Sequence, residues 1–200
     1  MLIDGEERDR VPGRDRGLHY GDGLFETLAV EDGRPCLWDR HMARLGEGCR
    51  RLGIPFPDAA DLAAEAKREI GGAARGILKI LLTRGQGGRG YGPPREPRPM
   101  RLLELSPGPG HPPAWRTRGV RVRRCETRLS RNPALAGIKH LNRLEQVLAR
   151  AEWTDPDVAE GVMLDTGDQV IEGTMTNLFL VHGGEIHTPD LSHCGVAGTM

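Results

Sequence analysis

The 200-residue chain is poor in aromatics, with three Phe, three Trp and two Tyr, and its charges cancel at 28 basic against 28 acidic side chains. Single-stranded nucleic acid is held by stacking rings in a basic groove, and both are in short supply here. A formal net charge of zero also removes any general attraction to an anionic membrane. Long apolar runs are missing: residues 77–82 are interrupted by Lys79 and are too short to span a bilayer. The opening MLIDGEERDR turns charged at its fourth residue and lacks the apolar core of a secretion signal, so the cytoplasm is the expected location. Cys36, Cys49, Cys125 and Cys194 are scattered and form no C-x-x-C pair, which argues against a disulfide framework. His182, His187, His193 and Cys194 fit no common ligand spacing, so no metal is expected. Internal repeats and low-complexity tracts are lacking.

Hydrophobic residues make up 38% of the chain, enough for a real core at this length. Residues 1–3 and 24–30 read as strands closed by Asp-Gly turns, and 77–83 and 101–105 as buried strands. Apolar residues at Leu37, Met42, Leu45, Cys49 and Leu52 predict a helix over 37–52, and a second covers 58–70 before Gly71-Gly72. The Pro/Gly-rich stretch 106–113 marks a boundary between a domain at 1–110 and another at 114–200. Beyond it, 119–125 alternates Val with Arg like a half-exposed strand, 138–153 reads as a helix, and short strands follow at 162–164, 170–171, 178–181 and 185–187. Helices and strands mix in both halves, which predicts an α/β or α+β class.

Gly85-Gln-Gly87-Gly-Arg-Gly90 fits G-x-G-x-x-G to the letter. A dinucleotide site needs that loop to open a helix, and the Tyr91-Gly-Pro-Pro that follows cannot start one there. Arginines crowd residues 116–131, at Arg116, Arg118, Arg121, Arg123, Arg124, Arg128 and Arg131. They suit either a solvated strand face or a patch recognising carboxylates, since guanidinium pairs with carboxylate bidentately. Lys139 follows the apolar run Leu-Ala-Gly-Ile, Glu172 lies between apolar strand residues, and Arg44 falls on the first long helix. Each alone reads as a solvated surface residue.

Together the segments tell more. Gly17-Leu-His-Tyr-Gly-Asp-Gly-Leu-Phe-Glu-Thr, His41-x-x-Arg44-Leu, Arg84-Gly-Gln-Gly-Gly-Arg-Gly-Tyr91, the stretch from Arg131 to Gln146, Glu172-Gly-x-x-x-Asn177-Leu-Phe and the terminal Gly195 to Met200 run through the chain in order. The set resembles the aminodeoxychorismate lyase branch of the fold-type-IV pyridoxal-phosphate (PLP) enzymes, a group that also holds branched-chain and D-amino-acid aminotransferases. Y-G-D-G-x-F-E and E-G-x-x-x-N are common to the group, whereas the Arg84–Tyr91 and Arg131–Gln146 stretches are particular to the lyase. The resemblance implies two α/β domains with PLP between them, the second incomplete because the chain is C-terminally shortened, and a homodimer. It implies Lys139 as the residue that forms the Schiff base and moves the proton, with Glu172 facing the pyridine nitrogen. Arg44 would grip the phosphate, Asn177 would belong to the cofactor site, and the backbone of Thr199 and Met200 would complete the phosphate cup. Arg89 and Tyr91 become candidate substrate contacts. The implied reaction converts 4-amino-4-deoxychorismate into p-aminobenzoate and pyruvate, a step toward folate. An aminotransferase of the same fold, acting on amino acids, and an inactive shortened remnant are the alternatives.

Overall fold

The structure, a computed structural model, describes residues 1–108 and 110–198, which fall into two units. The first comprises residues 1–108 together with 139–142, and the second residues 110–138 and 143–198. Lys139 therefore belongs to the first unit, although most of the C-terminal half does not.

In chain order the first unit holds β1 (Leu2–Ile3), β2 (Glu6–Glu7), α1 (Arg16–Tyr20), β3 (Gly23–Glu31), β4 (Arg34–Pro35), α2 (Trp38–Leu52), α3 (Ala59–Ile70), β5 (Arg75–Thr83) and β6 (Met100–Ser106). The strands form one antiparallel sheet in the order β2-β1-β6-β5-β3-β4. Alternation decides which face is buried: Leu24, Glu26, Leu28 and Val30 of β3 and Leu78, Ile80 and Leu82 of β5 are all buried. Fully burying each Leu or Ile stabilises the fold by about 1.5–3 kcal/mol. Helix α2 buries His41, Leu45, Gly48 and Cys49 along one face and packs on β3. A Cβ at Gly48 would come within 2.8 Å of the Leu24 side chain, so the helix can lie this close only with glycine there. Asp58 caps α3 by accepting from the amides of Ala60 and Asp61 at 2.8 and 3.1 Å, and Gly53 ends α2 in the left-handed region at φ 62°.

The second unit holds α4 (Ala114–Arg118), β7 (Arg121–Leu129), α5 (Leu144–Arg150), β8 (Val158–Asp165), β9 (Val170–Gly173), β10 (Leu180–His182) and β11 (Glu185–His187). β8 pairs parallel with β7 and antiparallel with β9, while β10 and β11 make a separate hairpin. Cys125, Leu129, Ala149, Trp153, Met163, Ile171 and Cys194 form its core. Burial pushes the Cys194 thiol up to about 11, and that of Cys49 in the first unit up to about 12. No helix among the described residues is long and apolar enough to cross a membrane.

One expectation is corrected. The helix predicted over 138–153 covers only Leu144–Arg150. Residues 139–142 pair with β3 instead: Phe25 N donates to Lys139 O at 2.9 Å and Leu141 N to Gly23 O at 3.0 Å. An amide or carbonyl spent across strands in this way is not available to a helical turn. The Val/Arg alternation over 119–125 does open a strand, β7, but it marks no buried face: Val120, Arg121, Val122 and Arg124 are all exposed, and Arg123 is half-buried where it donates to Glu152 O and Glu152 Oε2 at 2.8 and 3.0 Å.

Candidate functional site

The G-D-G at residues 21–23 makes room for Lys139. Gly21 is left-handed at φ 65°, and a Cβ there would lie 3.0 Å from the Asn142 amide carbon. A Cβ at Gly23 would come 2.8 Å from Leu141 Cδ1 and collide with the Leu82 carbonyl. Without side chains at these points, the backbone of residues 139–141 can lie along the start of β3, and His140 bridges Leu24. Lys139 Nζ then sits 4.5 Å from the centroid of the Phe25 ring, with Lys79 Nζ 5.7 Å from the same ring.

Arg44 does not stand in solvent. Its Nε donates to Glu26 Oε1 at 2.8 Å and its second nitrogen bonds Glu26 Oε2, from which His41 Nδ1 lies 2.6 Å. Burial alone would raise the Glu26 carboxyl, but the hydrogen bonds from Arg44 and His41 outweigh it and hold the group below its ordinary value. A similar knot surrounds Asp22, which accepts from Arg16 Nε at 2.7 Å and from Arg84 Nε and Nη2 at 2.8 and 3.0 Å. It too is held low, these bonds prevailing over its partial burial. A cavity of about 440 Å³ opens beside this knot, lined by Arg14, Arg16, His19, Tyr20, Gly87, Gly88 and Arg89. Tyr91 is 84% exposed, its ring 5.3 Å from that of Tyr20.

The second unit carries the other group of residues. Glu172, at the end of β9, is buried; Val196 N donates to its Oε2 at 2.7 Å and Gln146 Nε2 to its Oε1 at 3.4 Å. Asn177 Nδ2 donates to Val196 O at 2.9 Å. The segment carrying Val196 is stitched to Gly137, whose amide donates to Gly195 O and whose carbonyl accepts from Ala197 N. Gly195 is left-handed at φ 83°, and a Cβ there would lie 2.7 Å from Ile171 Cγ2 and 3.3 Å from Glu172 Oε2. Thr199 and Met200 lie outside the described residues.

Glu160 holds the turn that joins Glu172 to Asn177. This buried carboxylate accepts from the amides of Thr174 and Met175 at 3.1 and 3.3 Å, from the Thr176 hydroxyl at 2.9 Å, and from the Thr174 hydroxyl. Bonds to an ionised acceptor are the strong ones. Glu160→Ala is expected to cost at least about 2 kcal/mol of stability by urea denaturation, more than Glu160→Gln, which keeps an acceptor oxygen. Equal midpoints for the two variants would contradict this.

The arginine-rich stretch is not a carboxylate-recognition patch as a whole. Arg121, Arg123, Arg128 and Arg131 pair with Asp155, Glu152, Asp168 and Asp165 of their own unit. Asp22, Glu26, His41 and Arg84 fall within the motifs singled out in the sequence, but the two knots they form, with Arg16 and with Arg44, escaped sequence reading. The sign of burial was that Glu26 alternates in step with buried Leu24 and Leu28.

The profile of the family "Amino-transferase class IV" matches residues 23–200. An aminodeoxychorismate lyase of Vibrio harveyi is 41% identical over 99% of this chain and 73% of its own length. The crystal structure of a 4-amino-4-deoxychorismate lyase from Pseudomonas aeruginosa superposes with a TM-score of 0.94 at 54% identity, over 99% of this chain and 73% of that one. A putative branched-chain-amino-acid aminotransferase of Methanocaldococcus jannaschii is 32% identical over 92% of this chain and 65% of its own.

Proposed function

The chain belongs to the class IV amino-transferase family, and from that premise we propose that it is a PLP-dependent lyase splitting 4-amino-4-deoxychorismate into p-aminobenzoate and pyruvate. The observation that carries the cofactor reading is Glu172, a buried carboxylate oriented by Val196 N beside the glycine segment 195–198. The donor set fits PLP. Lys139 offers an amine, Arg44 a guanidinium for the phosphate, and Glu172 an anion for the pyridine nitrogen, with Asn177 bracing the backbone that meets Glu172. Gly195 adds a close approach that a Cβ would block. Choosing the lyase over the aminotransferase rests on the 41% and 54% identities to lyases against 32% to the aminotransferase.

When bound, PLP supplies an electron sink for the substrate carbon that bears the amine. Lys139 would hold the cofactor, and its amine would take the proton from the substrate carbon that bears the amine. A proton, recycled from Lys139 or relayed by a nearby hydroxyl, would reach the methylene carbon of the departing enolpyruvate as the C–O bond breaks and the ring becomes aromatic. The reaction therefore balances without water, oxidant or amino acceptor. Arg89, in the cationic cavity, and Tyr91 serve as contacts for the two substrate carboxylates. The active form is a cytoplasmic homodimer, its mass checked by sedimentation equilibrium.

The test is to incubate the chain with PLP and 4-amino-4-deoxychorismate without any keto acid. Equal amounts of p-aminobenzoate and pyruvate are expected. Turnover only after a keto acid is added would favour an aminotransferase, and no product under either condition would leave the remnant reading.

A further inference from the structure

We propose that Arg16 is a positioning residue whose guanidinium fixes the 85–92 loop so that Arg89 and Tyr91 meet a dicarboxylate substrate. The substrate class rests on the lyase reading above; the positioning rests on geometry alone. Arg16 is 4% exposed, although arginine is seldom buried without a purpose. Its Nη1 donates to the carbonyls of Gly90 and Gly92 at 3.1 and 3.2 Å, and its Nη2 to that of Tyr91 at 2.8 Å. Three successive carbonyls thus turn toward one cation, and the chain after Arg89 must curl around it. Nε is spent on Asp22, and the guanidinium carbon lies 4.9 Å from the Tyr20 ring centroid.

The other ties of the loop lie at its start: Gly85 O accepts from Arg16 N at 2.9 Å, Gly85 N donates to Thr83 Oγ1 at 3.0 Å, and Gly87 N donates to Arg14 O at 3.3 Å. Residues 87–92 carry no helix or strand, and past Gly87 the loop meets Arg16 and the ring of Tyr20. The anchor for Arg16 is firm by contrast. Asp22 is shared with Arg84, whose Nη1 and Nη2 also donate to Gly53 O and Leu52 O at the end of α2, both at 2.8 Å. Two cations on one carboxylate leave an excess of positive charge in a buried place, and the three loop carbonyls supply the compensating dipoles. The arrangement requires arginine: its planar fork of five donors reaches Asp22 and three carbonyls at once, whereas a lysine ammonium is a single point with three donors. Gly87 is part of the device, since a Cβ there would press to 2.7 Å of Arg16 Cδ.

The experiment compares the chain with Arg16→Lys and with Gly87→Ala, which keeps the charge but displaces the stem. Amide hydrogen exchange is read over residues 85–92 and over β3 and β5. Binding is read with chorismate, which bears the same two carboxylates but a hydroxyl in place of the amine and so is not turned over. Both variants are expected to speed loop exchange about tenfold, with β3 and β5 unchanged. Both should weaken chorismate binding about tenfold and raise KM for 4-amino-4-deoxychorismate by a similar factor, with kcat within about twofold. Unchanged loop exchange in both variants would overturn the proposal. Faster exchange with unaltered chorismate affinity would overturn its recognition half. If the parent chain made no p-aminobenzoate, the lyase reading would fall, while exchange and chorismate binding would still decide the role of Arg16.

Discussion

Lys139→Ala is expected to abolish p-aminobenzoate formation while leaving the fold intact. Loss of a positioned proton-transfer group costs about 10²–10⁴-fold, and the same side chain also carries the cofactor, so at least about a thousandfold loss of kcat is expected. The backbone of this segment should be unaffected, because its pairing with β3 runs through main-chain atoms at Phe25–Lys139 and Gly23–Leu141. The contact with the Phe25 ring is lost, and it is worth about 0.5–1 kcal/mol. The variant should therefore melt within a few degrees of the parent. Retention of a tenth of the parental rate, in a protein shown to be free of the parent, would remove Lys139 from the chemistry.

Glu26→Ala should be the most destabilising single change in the first unit, by about 3–5 kcal/mol, since it strands the buried Arg44 and His41 without their carboxylate. The pH dependence follows from the depressed Glu26 carboxyl. A carboxyl whose pKa is lower folded than unfolded stabilises the fold above its unfolded value, near 4.5 here. That contribution fades as pH falls from about 4.5 through the lower folded value. Asp22 and Asp165 are also held low and contribute to acid loss of their own. The difference between the parent and Glu26→Gln isolates Glu26: it should be largest above about pH 5 and shrink below that. Urea midpoints from pH 3 to 7 would measure it, and a difference that stayed constant across the range would contradict the account.

The sheet of the first unit was legible because β3 and β5 alternate cleanly and Gly53 and Asp58 punctuate the helices beside them. The segment around Lys139 was misread for a definite reason. Its apolar run satisfies helical and extended patterns alike, and the partner that decides between them, β3, lies more than a hundred residues earlier in the chain. Arg44, taken alone, read as solvated, and the burial of Arg16 was not foreseen, because a charge carries no local sign of its partner. Each is buried by a residue it meets only after folding: Glu26 for Arg44, and Asp22 with the loop carbonyls for Arg16. The glycines at 85 and 87 show the same limit. They spell a dinucleotide motif, yet Gly85 is left-handed at φ 85° beside the Arg98 carbonyl and Gly87 packs on Arg16, so they serve a loop. Arg131 and its neighbours looked free for a ligand, but their acidic partners come from β8 and from turns that follow α5 and β8.

The most direct measurement is chemical. The chain is mixed with PLP, reduced with borohydride, digested and examined by mass spectrometry. The account predicts one pyridoxyl group per chain, on Lys139, and none on the neighbouring Lys79 that shares the Phe25 ring. A pyridoxyl group spread over several lysines, or absent from Lys139, would contradict it.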